Sequence, residues 1–323
     1  MKRVVCVSDG EDLAACVEVI EAEAPVPGPR DVRVRVRARP INPADELLLT
    51  GRHVYQPTYP APIGIEGAGV VIEAGPEAGL PAGTRVALPY GGTWTEEMVL
   101  PADVVVPLPD ALDLEQGAML SVNPMTAVGL LEGLRPGAAV LVNAATSAIG
   151  QLVVRLGARR GLTMLAAVRR PEAAAALRSA GASAVFADDD DLPAAVRAVT
   201  GNSGVDRALD AVAGTATTRL YHAVKDGGEL IVYGLLSDDR AILPAAALVF
   251  RDVTVRGYSR LRSYAALTPQ RRRELGAEIV EAMCRGEITT PVEARYPLTE
   301  VRAALRHQAR PERRGKILLV SEP

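Results

Sequence analysis

The stretch Val140-Leu-Val-Asn-Ala-Ala-Thr-Ser-Ala-Ile-Gly-Gln151 decides how the chain is read. It passes from an apolar strand through a tight turn of small residues into a helix, expected over Gly150 to Arg160, with Leu152, Val153 and Leu156 on one face. Small side chains at such a turn let the backbone approach a pyrophosphate, which then sits at the positive end of the following helix. The pattern is sparse in glycine: only Gly150 is one, and Ala148 stands where a middle glycine is expected. A helix start in an ordinary α/β domain is the alternative reading of these residues.

The next strand favours the nucleotide. It runs from Met164 to Val168 and ends at Arg169 and Arg170, about twenty residues after the turn. An acidic residue there would pair with the ribose hydroxyls of NAD. Two arginines instead suit the 2′-phosphate of NADP through forked, charge-assisted hydrogen bonds. Turn and arginines together point to NADPH as the cofactor.

From about residue 115 onward, short apolar runs alternate with amphipathic helices. Helices are expected over Glu172 to Ala180, Leu192 to Thr200 and Thr215 to Val224. Strands are expected over Ala139 to Asn143, Ala184 to Phe186, Val205 to Val212 and Glu229 to Tyr233. Such alternation implies βαβ crossovers and a doubly wound parallel sheet. The run Asp188 to Asp191 falls between elements and is read as a solvated loop and helix start rather than a metal site. A later helix, Thr268 to Arg285, has Thr268 as its cap, Pro269 in its first turn and Gly286 at its end.

The first 120 residues differ. In Val32-Arg-Val-Arg-Val-Arg37 the alternation puts three valines on a core face and the arginines toward water. With Gly67 to Ile72 and Thr84 to Leu88, separated by Gly79, Pro81 and Gly83, this part reads as all-β and barrel-like.

The 323 residues suffice for about two domains. A net charge of −3 excludes a strongly basic nucleic-acid binder, and 48% hydrophobic residues exclude a disordered chain. Three lysines stand beside 33 arginines, which codon bias explains. Cys6, Cys16 and Cys284 are too few and too scattered for a disulfide framework or a C-x-x-C metal site. The start fits no signal peptide, and no apolar stretch is long enough to span a membrane, so a soluble, cytoplasmic protein is expected.

Leu120-Ser-Val-Asn-Pro-Met-Thr-Ala127, followed by the turn from Asn143 to Gln151, resembles the medium-chain dehydrogenase/reductase superfamily. Within it the chain is most similar to the zinc-independent 2-enoyl thioester reductases of the mitochondrial type. Ile41-Asn-Pro-Ala-Asp45, Gly64-Ile-Glu-Gly67, Gly92-Thr-Trp-Thr95, Tyr233-Gly234, Val249-Phe-Arg-Asp252, Arg256-Gly257 and Gly315-Lys-Ile317 extend the likeness over nearly the whole chain. The resemblance implies a GroES-like β-barrel catalytic domain from residues 1–118 and 262–323. A Rossmann cofactor domain over residues 119–261 would be inserted between them, with dimerisation through the Rossmann sheets.

The residue types bear on zinc. Zinc-dependent members place a Cys in the region of Asn42 to Asp45 and a His before the Glu of the Gly64 motif, where this chain has Ile65. The four-Cys lobe of those relatives has no counterpart, and His53, His222 and His307 are scattered. Three or four Cys, His or carboxylate ligands are needed for Zn²⁺, so no metal is expected.

By the resemblance, the chain reduces a C=C bond conjugated to a carbonyl, most of all in an enoyl thioester. Hydride goes to Cβ, charge gathers on the carbonyl oxygen and Cα is protonated. The enoyl reductases use a Tyr shortly after the Ile-Asn-Pro motif as proposed proton donor. Here His53 takes that place and Tyr55 comes two residues later. In an extended segment both point to one side, so either could donate the proton, with solvent as the alternative. The resemblance also places Trp94 at the substrate pocket, a core aromatic being the alternative, and Asn42 and Thr126 near the nicotinamide. Thr146, Ser147, Ala148, Ile149 and Gly150 would meet the pyrophosphate and Arg169, with Arg170, the 2′-phosphate. Val212, Tyr233, Gly234, Phe250 and Lys316 would line the cofactor cleft. The stripe Arg302, Arg306, Arg310, Arg313 and Arg314 reads as a solvated helix face; its alternative is a docking surface for an acyl carrier protein or coenzyme A phosphates. Two further functions stay open on these residues: a quinone or small-enone reductase, and a nucleotide-binding protein without catalysis.

Overall fold

The computed structural model describes residues 1–53, 55–310 and 312–321, with the side chain of residue 171 left aside. The chain divides into two units, Met1–Val122 with Thr268–Pro323 and Asn123–Leu267.

The first unit begins with β1 (Lys2–Cys6) and β2 (Val17–Glu21), an antiparallel pair, and the long strand β3 (Asp31–Pro40). Val32, Val34 and Val36 are fully buried, as the alternation predicts. At about 1.5–3 kcal/mol for each buried valine, this row anchors a core shared with Val71, Val86, Leu88, Met98 and Leu100. The arginines between them pair with acids across the sheet, Arg33 with Glu73 and Arg35 with Glu97. After β3 comes a helix, α1 (Pro43–Leu49), then β4 (Ala61–Pro62), β5 (Gly67–Ala74), β6 (Arg85–Leu88), β7 (Glu97–Pro101), β8 (Val106–Pro107) and the short helix α2 (Leu114–Ala118). The two helices correct the all-β reading. Local chemistry explains α1: Pro43 opens it, and the Asp45 carboxylate in its first turn accepts the Asn42 N–H at 2.9 Å.

The second unit opens with α3 (Asn123–Leu130), β9 (Ala139–Val142), α4 (Ala148–Arg159) and β10 (Thr163–Val168). Next come α5 (Ala174–Ser179), β11 (Ala184–Ala187), α6 (Leu192–Val199), β12 (Val205–Asp210), α7 (Thr215–Ala223) and β13 (Val224–Val232). It closes with α8 (Ala245–Arg251), β14 (Thr254–Gly257) and α9 (Arg260–Ala265). Among the described residues the strands form one parallel sheet in the order β11-β10-β9-β12-β13-β14. This is the doubly wound arrangement, and its strand order reverses between β9 and β12. The turn after β9 therefore stands beside the crevice where such sheets bind ligands. Several boundaries differ from the sequence reading, and α4 starts two residues earlier than expected, at Ala148. β12 stops at Asp210, whose side chain turns to bind the loop beyond it. β13 starts earlier, at Val224, and the expected helix from Glu172 begins as a 3₁₀ turn, Pro171–Ala173.

The chain then returns to the first unit. α10 (Pro269–Cys284) is capped by the Thr268 hydroxyl, which accepts the Arg271 N–H at 3.2 Å. β15 (Val292–Pro297), α11 (Val301–Gln308) and β16 (Lys316–Val320) complete the unit. Strand β3 pairs with β5, β7 and β16, so it is the spine of a sheet ordered β15-β16-β3-β5-β6-β8. The pairing of β16 with residues 38–40 brings Lys316 to the start of α1.

Candidate functional site

In the second unit the turn after β9 leads directly into α4, which begins at Ala148. Ser147 caps α4, its hydroxyl accepting the Gly150 N–H at 3.1 Å. Thr146 is exposed, and Ala148 and Ile149 are half-buried in the first helical turn. Gly150 is required by packing: a Cβ there would lie 2.6 Å from the Ala144 carbonyl oxygen and 2.7 Å from Ala145 Cα. The helix thus starts hard against the turn, with its free N–H groups at the strand end. Gly234, after β13, is packed in the same way, its Cβ position 2.7 Å from the Ala211 carbonyl oxygen.

Arg169 and Arg170 come directly after β10, both exposed and without an ion pair among the described residues. Val212 and Gly234 are half-buried beside the end of β12, where Asp210 O accepts the N–H groups of Tyr233 and Gly234 at 2.8 and 3.3 Å. The Tyr233 hydroxyl is buried without a partner, and burial with the nearby Asp210 charge holds it well above the usual phenol range. Thr126 is buried in α3. Phe250 lies 84% exposed on α8. The acidic run is not all solvated: Asp188 is nearly buried and takes Arg219 from Nε and Nη2 at 3.0 and 2.8 Å, while Asp190 stays exposed. The parallel pairing of β10 with β11, and the Asp188 N–H donated to Val168 O at 2.9 Å, carry Asp188 out of the solvated part of the run.

The first unit holds a second constellation, wholly buried. Asn42 Nδ2 donates to Glu66 Oε1 at 3.1 Å, and Lys316 Nζ donates to Asn42 Oδ1 and to the Ile41 carbonyl. The other oxygen, Glu66 Oε2, accepts Ser121 N, Ser121 Oγ and Val122 N at 3.1, 3.0 and 2.8 Å. Asp45, beside them, leaves Oδ1 without a partner, and burial pushes its carboxyl up to about 8. Burial likewise pulls the Lys316 ammonium below the usual lysine range. Asn42 and Lys316 were expected from the resemblance. Glu66 enters the motif but not the expected site, although an acid between isoleucine and glycine in a strand-like run is itself a signal of a paired, buried carboxylate.

Trp94 is fully buried in the core with Val4, Ile41, Ile63 and Leu319, its indole N–H without a partner. His53 is half-buried and Tyr55 is 62% exposed. The expectation of an extended segment gives way to a bend. The Tyr55 N–H donates to His53 Nδ1 at 3.0 Å, and Gln56 Nε2 donates to the carbonyls of Gly51 and His53 at 3.0 and 2.8 Å. Because Nδ1 accepts a backbone proton, the imidazole carries its own at Nε2.

The second unit fits a dinucleotide. It offers a capped helix start, two glycines packed against strand ends, an orphaned buried hydroxyl and two uncommitted arginines at one edge of the sheet. Among the described residues no group of three or more His, Cys, Asp or Glu side chains could hold a metal ion, and no helix is long and apolar enough to cross a membrane.

Comparison with known proteins agrees with this construction. The alcohol dehydrogenase GroES-like domain matches residues 28–110, and the zinc-binding dehydrogenase family matches residues 148–275. The human mitochondrial enoyl-[acyl-carrier-protein] reductase is 30% identical over 312 residues, 93% of this chain and 83% of the relative. The quinone oxidoreductase of Pseudomonas syringae pv. tomato superimposes with a TM-score of 0.89 at 26% identity, over 99% of both chains. A mycobacterial protein solved with NADPH superimposes with a TM-score of 0.87 at 25% identity, over 99% of this chain and all of the other. By this kinship and this architecture, the chain belongs to the medium-chain dehydrogenase/reductase superfamily, on the zinc-independent side of it, and is a nicotinamide-dependent oxidoreductase.

Proposed function

We propose that the protein uses NADPH to reduce a C=C bond conjugated to a carbonyl, with a trans-2-enoyl thioester of coenzyme A or acyl carrier protein as substrate and without a metal. The observation that carries the cofactor choice is the pair Arg169 and Arg170, exposed and unpaired where an acid would select NAD. The substrate choice rests on the 30% identity to an enoyl reductase over most of both chains.

The bound cofactor would supply a hydride to Cβ. The amides at the start of α4, with Thr146 and Ser147, would hold the pyrophosphate, and the two arginines the 2′-phosphate. Tyr233 and Gly234 would frame the remainder. The chain's own residues must then return a proton to Cα. His53 with its proton at Nε2 and the Tyr55 hydroxyl are the two donors this reading assigns. Asn42, held by Lys316 and Glu66, and Trp94 are fully buried in the first unit, so this reading takes both as supporting residues rather than as groups that touch cofactor or substrate.

A second reading has its own support in the superposition on a quinone oxidoreductase and in His53 standing where enoyl reductases have Tyr. The deciding experiment monitors NADPH oxidation with crotonyl-CoA, a longer enoyl-CoA, 1,4-benzoquinone and a small enone, with NADH as control. Thioester turnover with NADPH is expected. Quinone or enone turnover alone would replace the substrate assignment, and equal rates with NADH would remove the role of the arginines.

Two further assignments go with the reading. Strand β14 ends its sheet, and Val249 and Phe250 stand exposed nearby, which fits a homodimer formed through this edge. A monomer by sedimentation would refute it. Arg306 and Arg310 are exposed on and just after α11, whereas Arg302 donates to Val17 O and Arg313 to Gln308 O and Gly315 O. These two are the candidates for an acidic carrier. Reversal of both to Glu should raise KM for carrier-bound substrate and spare a small enone; equal effects would remove the carrier. Three free, scattered thiols fit the reducing cytoplasm.

A further inference from the structure

We propose that Asp210, with Asn143, is a positioning residue for the cofactor: a buried clasp that sets the turns after β9 and β12 in one geometry. The inference rests on the cofactor reading above, and neither residue belongs to the set expected from the sequence.

The two side chains sit at the ends of neighbouring parallel strands, where Val142 pairs with Leu209. That is where the strand order reverses, the place where a doubly wound sheet receives its ligand. Both residues are fully buried. Asp210 Oδ1 accepts Asn143 Nδ2 at 2.7 Å, Val212 N at 2.9 Å and Ala213 N at 3.1 Å, while Oδ2 accepts the Thr217 hydroxyl at 2.6 Å. Asn143 Oδ1 accepts Ala211 N at 2.8 Å. Every one of these donors belongs to the end of β9, to the loop after β12 or to the first turn of α7. A carboxylate deprived of water is here supported by four donors and, among the described residues, no cation, and such a network tolerates little displacement.

What the clasp holds is strained. Ala144, next to Asn143, has φ of +44°, and Ala213, three residues after Asp210, has φ of +67°. Non-glycine residues rarely adopt this region unless their surroundings impose it. Ala144 starts the phosphate turn: its carbonyl accepts the Ser147 N–H at 2.8 Å and is the atom against which Gly150 packs. On the other side, Val212 O accepts Ser237 N at 3.0 Å, and the Asp210 carbonyl takes Tyr233 N and Gly234 N. One residue therefore ties together the ends of β9, β12 and β13, from which the phosphate turn and the loops of Val212 and Gly234 emerge. An unclasped edge would let Ala144 and Ala213 relax toward ordinary φ and move the amides that receive the pyrophosphate.

The test compares NADPH with adenosine 2′,5′-bisphosphate, which carries the phosphate met by Arg169 but lacks the pyrophosphate and the nicotinamide. Asp210→Ala should raise the Kd for NADPH by about ten-fold or more, the scale of a lost buried hydrogen bond. Its Kd for the bisphosphate should stay near the wild-type value. Amide hydrogen exchange should quicken at Ala144–Ser147 and at Val212–Gly214 while the far-UV spectrum is kept. Thr217→Val, which removes one bond and keeps the volume, should move the same quantities less. A folded Asp210→Ala protein with wild-type NADPH affinity and wild-type exchange in both turns overturns the clasp. An equal loss for both ligands overturns it too, since that reports general damage. Where Asp210→Ala does not fold, Thr217→Val decides, and unchanged affinity and exchange in it overturn the proposal. A wild-type protein that binds neither ligand defeats the cofactor reading instead, and the exchange comparison still decides whether the clasp orders the turns.

Discussion

Asn42 and Lys316, 274 residues apart, meet in the interior of the first unit, where the lysine ammonium donates to the amide oxygen. The contact determines which way the Asn42 amide points. With Oδ1 occupied by a cation, Nδ2 must face Glu66 Oε1, as it does at 3.1 Å. The amide cannot turn over without setting its N–H groups against the ammonium.

That lock makes Glu66→Gln costly although its shape is conserved. Oε2 accepts three donors from Ser121 and Val122, so the glutamine oxygen must take that place and its NH₂ must face Asn42 Nδ2. Two donors then confront each other, and Lys316 forbids the flip that would relieve them. A loss of about 1–3 kcal/mol in urea unfolding is expected, the cost of a buried group left unmatched. Adding Lys316→Met frees the amide to flip, so the double variant should lose less than the sum of the single ones by about 1 kcal/mol. Strict additivity would break the lock.

On the proposed reading, Arg169 and Arg170 govern cofactor choice rather than stability. Replacing both with Ala should raise the NADPH Kd by about ten-fold, discounted for the screening of exposed charges. NADH affinity should stay as it is, and Tm should hardly move. The NADPH effect should shrink as salt is raised. Parallel losses for both cofactors in a titration would place the 2′-phosphate elsewhere.

Asp45 makes the first unit sensitive to pH in an unusual direction. Its carboxyl is pushed up to about 8 by burial, opposed by the Asn42 N–H and Lys316 and reinforced by Glu66 and Glu46. The folded state therefore keeps a proton that the unfolded chain releases near the ordinary carboxylate range. The associated stability is complete below that range and is lost as pH rises toward 8, at up to ~1.4 kcal/mol per pH unit. Asp45→Asn mimics the protonated acid and removes this dependence. The stability of Asp45→Asn relative to wild type should thus grow between pH 5 and pH 8. A constant difference across that window would mean that Asp45 is ionised in the folded protein.

Local pattern made much of the fold legible. The valines of β3, the face of α4 and the cap of α10 each arise from residues within a few positions of one another. The turn after β9, the start of α4 and the exposed arginines after β10 were legible for the same reason, since they lie within one βαβ unit. The buried networks were not. Asn143 and Asp210 are separated by 67 residues and become partners only through the parallel register of β9 and β12. Glu66 finds its partners 24 and 55 residues away. Polar residues closing two apolar runs, Asn143 after Leu-Val and Asp210 after Ala-Leu, were the available signal. The Asp188 run misled because charge runs are mostly solvated, whereas Arg219 from a distant helix claims its first member.

The two proposed proton donors, His53 and Tyr55, can be told apart by mutation. His53 Nδ1 is occupied by the Tyr55 N–H, a backbone bond that survives replacement of the tyrosine side chain. Tyr55→Phe therefore leaves the imidazole in place with its proton at Nε2, whereas His53→Ala removes both the imidazole and the anchor of the bend. If His53 is the donor, His53→Ala should lower kcat by about 10²-fold, the usual contribution of a positioned acid. Tyr55→Phe should then stay within about three-fold of wild type, the scale of a hydroxyl outside the chemistry. The reverse ranking would make the exposed tyrosine the donor. His53→Gln separates anchoring from chemistry, because the glutamine carbonyl can accept the Tyr55 N–H but cannot serve as the acid. Recovery of kcat in His53→Gln would reduce the histidine to an anchor and leave protonation to Tyr55 or to water.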